Sequence, residues 1–168
     1  PCALPLSYLE DFLKQIKEVA KSCKEKKIKI ISNAGGLNPK SMASEIKKIL
    51  DEQSIDMKVA YIDGDDLLPR MEDLTKEGEV FKNIDKNIPL NDSGFSALTA
   101  NAYLGAWGIK EALDNGADIV VCPRVTDAAV VIGPAAWKFN WDRNNYDALA
   151  GALAAGHIIE CGCQATGG

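Results

Sequence analysis

The sequence predicts an α/β protein built on a parallel, doubly wound sheet. Three short apolar runs, Ile28 to Ser32, Met57 to Ile62 and Asp118 to Cys122, are rich in β-branched residues and have strand length. Amphipathic segments with helical spacing separate them, which is the rhythm of βαβ units with right-handed crossovers. Each run also ends abruptly in polar turn residues. Three strands are few for such a sheet, so residues 1–168 are expected to form a single α/β domain or a fragment of a larger one that lacks strands at one or both ends.

The first helix is read over residues 7–23, where Leu9, Phe12, Leu13, Ile16 and Val19 recur at helical spacing and Ser7 with Glu10 offers a capping box. After the first strand the chain passes through Asn33, Gly35 and Gly36 and restarts at Pro39, giving a helix over about 41–53. The second strand ends in Asp63-Gly64-Asp65-Asp66, and a helix over 67–76 carries Pro69 in its first turn. Residues 77–97 have no sustained period and read as an irregular loop. A small-faced helix over 98–115 follows, closed by Gly116. The third strand ends in Pro123-Arg124-Val125-Thr126-Asp127, with Thr126 or Asp127 expected to cap a helix running to Phe139, and a last apolar helix covers 146–161 before Gly162.

Composition narrows the function classes. A hydrophobic content of 46% supports a real core, and the net charge of −5 argues against nucleic acid as a main partner. The basic run Lys21 to Lys29 lies at a helix end and reads as a solvated face that complements the dipole. No apolar run approaches the roughly 18 residues of a membrane span. The five cysteines, Cys2, Cys23, Cys122, Cys161 and Cys163, show no disulfide framework, so a reducing cytoplasm is expected. The start at Pro1, with no initiator Met or basic leader, reads as an interior cut or a processed end.

In a parallel sheet ligands collect outside the carboxyl ends of the strands, and here all three ends are polar. The Asn33, Gly35, Gly36 turn at a helix start suits a phosphate or carboxylate, although the same residues also simply make turns. Asp65 and Asp66 cap the next helix or, with Asp63, approach a Mg²⁺ site. Arg124 suits an anionic ligand or a structural pair with Asp127. The single histidine, His157, has Glu160, Cys161 and Gln164 at i+3, i+4 and i+7, on one helical face. His157 with Glu160 is an acid/base pair in the preferred reading; a transition metal with Cys161 as thiolate and ordinary capping are the alternatives. No metal is assigned and the cofactor stays open. Cys161-Gly162-Cys163 is no redox motif.

Five stretches together resemble the acyclic terpene utilisation protein A (AtuA) family: SNAGGLNP from Ser32 to Pro39, Asp63-Gly64-Asp65-Asp66, NAYLGAWG from Asn101 to Gly108, GADIVVCPRVTD from Gly116 to Asp127, and LAAGHIIECGCQATGG from Leu153 to Gly168. The resemblance implies an α/β protein of catabolic operons for branched acyclic acids carried as coenzyme A thioesters, of which this chain is an interior portion. It has Pro123 where the family pattern has Gly. Carried over by position, it implies Asn33, Asp65, Asn101, Arg124, Asp127, His157 and Glu160 as functional residues.

The expected function is a cytoplasmic enzyme of lyase or hydratase type. In it Asn33, Gly35, Gly36, Asp65, Asn101 and Arg124 hold an anionic small molecule, such as a CoA thioester, and His157, Glu160 and Asp127 move protons. The alternative is a non-catalytic ligand-binding or assembly subunit of a catabolic complex. A homo-oligomer is expected, because an open sheet edge must be covered.

Overall fold

The structure, a computed structural model, describes residues 8–166. Cys2 and the proposed Ser7 cap lie outside the described residues. Strands β1 (Ile30–Ser32), β2 (Val59–Tyr61) and β3 (Ile119–Val121) form a parallel sheet in the order β1-β3-β2. Ile119 of β3 is in register with Ile30 on one side and Val59 on the other. The predicted fold class is therefore observed, with shorter strands than the apolar runs.

Around the sheet lie α1 (Glu10–Glu25), α2 (Pro39–Glu52), α3 (Met71–Lys76), α4 (Trp107–Asp114), α5 (Ala129–Lys138) and α6 (Tyr146–Cys161). The period-two alternation of β3 assigns its faces. Ile119 and Val121 pack with Ile16 of α1 and with Met42, Ile46 and Leu50 of α2. Val120 and Cys122 pack with Ile109 and Leu113 of α4 and Ala129 of α5. Every residue of β3 is buried, as a central strand covered on both faces must be.

This arrangement fixes where a crevice opens. The helix after β1 covers one face and the helix after β3 the other, so adjacent strands send their following loops in opposite directions. That divergence is a topological switch point, and it lies at the carboxyl ends of β1 and β3.

The helix expected over 98–115 is the main correction. Only Trp107–Asp114 is helical, and the chain before it runs extended across the strand exits. Asn101 bridges Asp66, Leu104 bridges Val125, and the N–H groups of Ala102 and Leu104 donate to the carbonyls of Asp65 and Arg124 at 2.8 and 3.1 Å. Strand exits leave main-chain groups that need partners, and supplying them outweighs the helix propensity of a few alanines. The helix read over 67–76 begins as a 3₁₀ turn, Leu68–Arg70, before α3. The irregular segment thus continues past residue 97 to Ala106, with a 3₁₀ turn at Leu90–Asp92.

Candidate functional site at the carboxyl edge

At the end of β1 the chain turns over the neighbouring strand. Gly35 is buried, and a Cβ there would lie 2.5 Å from the Cys122 carbonyl oxygen and 2.8 Å from Pro39 Cβ, so only glycine fits. Gly36 has φ +55° and is half-buried. Asn33 is exposed, and its carbonyl accepts the Gly36 N–H at 3.3 Å. The start of α2 is already capped: Asn38 accepts the Ser41 N–H at 3.1 Å, and Pro39 has no N–H to offer.

At the end of β2 the three aspartates separate in role. Asp65 is buried, and its Oδ2 accepts from Asn101 Nδ2 at 2.8 Å, which gives the resemblance-derived Asn101 a physical partner. Asp66 accepts the Leu68 N–H at 3.0 Å in a local turn, and Asp63 is exposed. These three form no metal-binding group among the described residues.

At the end of β3, Pro123 is buried and Arg124 emerges exposed. Its Nη2 donates to the Tyr103 hydroxyl at 2.7 Å, and its guanidinium carbon lies 5.0 Å from that ring's centroid. Of the two readings of Arg124, the structural pair with Asp127 is not formed among the described residues; the guanidinium is held by Tyr103 on the extended crossing segment instead. The Tyr103 hydrogen bond is also the main reason the Arg124 pKa is raised, with Asp127 and Asp65 as weaker contributors. Tyr103 lies inside the NAYLGAWG stretch, but nothing in its spacing marks it as a partner of Arg124 in a segment read as helix.

Thr126 and Asp127 do not cap α5. The helix starts at Ala129 after the Ala128 N-cap, and the Thr126 carbonyl takes the Ala129 N–H at 2.8 Å. The main chain closes the turn by itself, so the Asp127 carboxylate stays exposed and turns toward α6.

The last helix arrives at this point because of a close contact. A Cβ on Gly156 would lie 3.0 Å from Ala128 Cβ and 3.1 Å from its carbonyl oxygen. That approach places His157, Glu160 and Cys161 beside Asp127. Cys161 Sγ lies 3.1 Å from Glu160 Oε2, 3.6 Å from His157 Nδ1 and 3.9 Å from Asp127 Oδ2. His157 and Glu160 therefore meet through the thiol. The hydrogen bond to Glu160, then burial and the charges of Glu160 and Asp127, push the Cys161 thiol up to about 11. Gln164 does not continue the face, because the helix ends at Gly162 with φ +56° and Gln164 falls in the 3₁₀ turn Gly162–Thr166. Cys122, under the Gly35 turn, is pushed up to about 12 by burial and is inert packing.

The site thus joins Asp127, His157, Glu160 and Cys161, with Arg124 on Tyr103 leaving the same strand end and Asp65 on Asn101 at the next. Asn33 has no side-chain bond to any of them among the described residues. No helix among the described residues is long and apolar enough to cross a membrane. No curated protein and no solved structure matches the chain. A family model does, over residues 4–168, and by that match the chain belongs to the acyclic terpene utilisation family protein AtuA.

Proposed function

We propose that this carboxyl edge is the reaction site of an enzyme of acyclic terpene breakdown, acting on an anionic organic acid or its acyl-CoA thioester by adding or eliminating water. The observation that carries the reading is the convergence on one strand end of a cation and a proton-handling set. Arg124 presents an exposed guanidinium fork suited to a carboxylate or phosphate. Asp127, three residues on from Arg124, gathers with His157 and Glu160 around Cys161, and the three offer the acid and base that such a reaction needs across a double bond. With the start of α2 capped by Asn38, the anion falls to Arg124, and the glycine turn shapes the crevice.

The test is thermal stability against short acyl-CoA thioesters and branched dicarboxylates. A ligand at about 100 times its Kd should add about 2.7 kcal/mol. That shift should vanish in Arg124→Ala, and turnover of the bound compound should collapse in His157→Ala and Glu160→Gln. Unchanged turnover in both variants would sink the acid/base assignment.

A second reading, a binding or assembly subunit, draws on the exposed Tyr146, Leu153, Ile158 and Ile159 of α6 and on β1 and β2 as sheet edges. It predicts that charge substitutions at Leu153 and Ile159 dissolve an oligomer while ligand shifts persist.

A further inference from the structure

More groups face Cys161 than one thiol can satisfy. An S–H is a single weak donor, yet two carboxylate oxygens and an imidazole nitrogen stand within 3.1 to 3.9 Å of the sulfur. None of the ion pairs among the described residues involves Asp127 or Glu160. Arg124, the cation nearest in sequence to Asp127, is bonded to Tyr103. The cluster therefore brings carboxylate oxygens and lone pairs to one point, with no cation among the described residues within ion-pair distance of Asp127 or Glu160.

We propose that Asp127, His157 and Cys161 form a site for a zinc-class divalent metal ion, bound by a carboxylate oxygen, imidazole Nδ1 and a thiolate, with a fourth position open to solvent. A tetrahedral centre with metal–sulfur bonds of about 2.3 Å and metal–nitrogen or metal–oxygen bonds of about 2.0 to 2.2 Å sets its N···S and O···S separations near 3.6 Å. The His157 Nδ1 to Cys161 Sγ distance is 3.6 Å and the Asp127 Oδ2 to Sγ distance is 3.9 Å, while all three ligand atoms lie within 4.8 Å of one another. Small side-chain adjustments complete the geometry.

The donor set also selects the ion. A thiolate with an imidazole favours zinc and its borderline neighbours over magnesium or calcium, which take oxygen ligands. Three protein ligands with an open position are the arrangement of catalytic rather than structural sites. Binding exchanges the thiol proton for the metal ion, and Glu160 Oε2, 3.1 Å from the sulfur, is placed to receive that proton. Glu160 is thereby the base beside the metal and not one of its ligands.

This inference rests on the proposed function only in making the metal part of a reaction; metal binding itself is independent of it. With the ion in place Asp127 and His157 are ligands and Glu160 alone keeps its proton-handling role, so the acid/base set of the proposed function describes the metal-free chain.

The experiment is a titration of the metal-free full chain with Co²⁺, read by absorbance. One equivalent should give a thiolate-to-cobalt charge-transfer band together with intense visible bands of a four-coordinate ion, and Zn²⁺ should displace it. Cys161→Ser should abolish the charge-transfer band. Asp127→Asn and His157→Ala should each weaken binding more than about tenfold, and Cys163→Ser should change nothing. The proposal is overturned by a parent chain that gives no charge-transfer band at one equivalent, or by a band that survives Cys161→Ser or is lost in Cys163→Ser. Neither of the first two readings depends on a variant's stability. A cobalt band without any Arg124-dependent ligand shift would remove the proposed function and leave the metal site standing; a ligand shift without the band would do the reverse.

Discussion

At the amino end of the strands, Lys29, Lys58 and Asp118 answer one another. Lys29 Nζ lies 2.8 Å from Asp118 Oδ1, the Lys58 N–H donates to Asp118 Oδ2 at 2.9 Å, and Lys58 Nζ reaches the Asn115 carbonyl at 2.6 Å. At the carboxyl end the charged groups are arranged differently: Arg124 rests on a tyrosine, Asp127 faces a thiol, and His157 and Glu160 stand in solvent. The two ends belong to one ladder and have similar residue types. Charges that close on each other hold a sheet together, whereas charges left facing outward can be taken up by something else.

The comparison has a backbone component that a single methyl group tests. Gly35→Ala puts a Cβ into the Cys122 carbonyl and should cost about 2 to 3 kcal/mol, seen as a lower urea midpoint at unchanged slope. The carboxyl edge is thus tightly packed along its main chain at Gly35 while the side chains of Arg124, Asp127 and His157 stay exposed.

At the other end, Asp118→Asn should cost about 1.5 kcal/mol at neutral pH. Partial burial works against the Asp118 charge, but Lys29 and the Lys58 N–H outweigh it and hold the carboxyl below its ordinary range. A depressed folded pKa means that this stabilisation is complete above the unfolded value and is lost as pH falls through the folded one. The gap between parent and variant should therefore be full at pH 6 and close in acid below about pH 3.8, a dependence that chemical denaturation at several pH values will show.

Smallest of the three, Arg124→Ala should change stability by no more than about 0.5 kcal/mol, since its bond to Tyr103 is exposed. A loss comparable to that of Asp118→Asn would make Arg124 structural and erase the distinction between the two ends.

Much of this was legible locally. The last helix was bounded by Tyr146 and Gly162, β3 by its apolar run, and Asp127, His157 and Glu160 by their positions at a strand exit and on a helical face. What could not be read were non-local pairings. Tyr103 and Asn101 act from an extended segment held by main-chain bonds to the exits of β2 and β3, and no periodicity marks such bonds. Helical spacing groups Glu160 with His157 and Cys161, and it carries no information on which strand exit faces that helix. The packing of α6 on α5 is what brings Asp127 to within 4.8 Å of the His157 and Cys161 donor atoms.

Ala128 and Gly156 touch, and each is one residue from a proposed ligand. The span between Asp127 and His157 is therefore gauged by main chain, and rotamers only refine it. A methyl group at position 156 would act as a shim, opening that gauge by a few tenths of an ångström. Gly156→Ala is accordingly expected to shift preference from Co²⁺ toward the larger Cd²⁺ in a competition titration, so that ion size would be discriminated by a residue that donates no electrons to the ion.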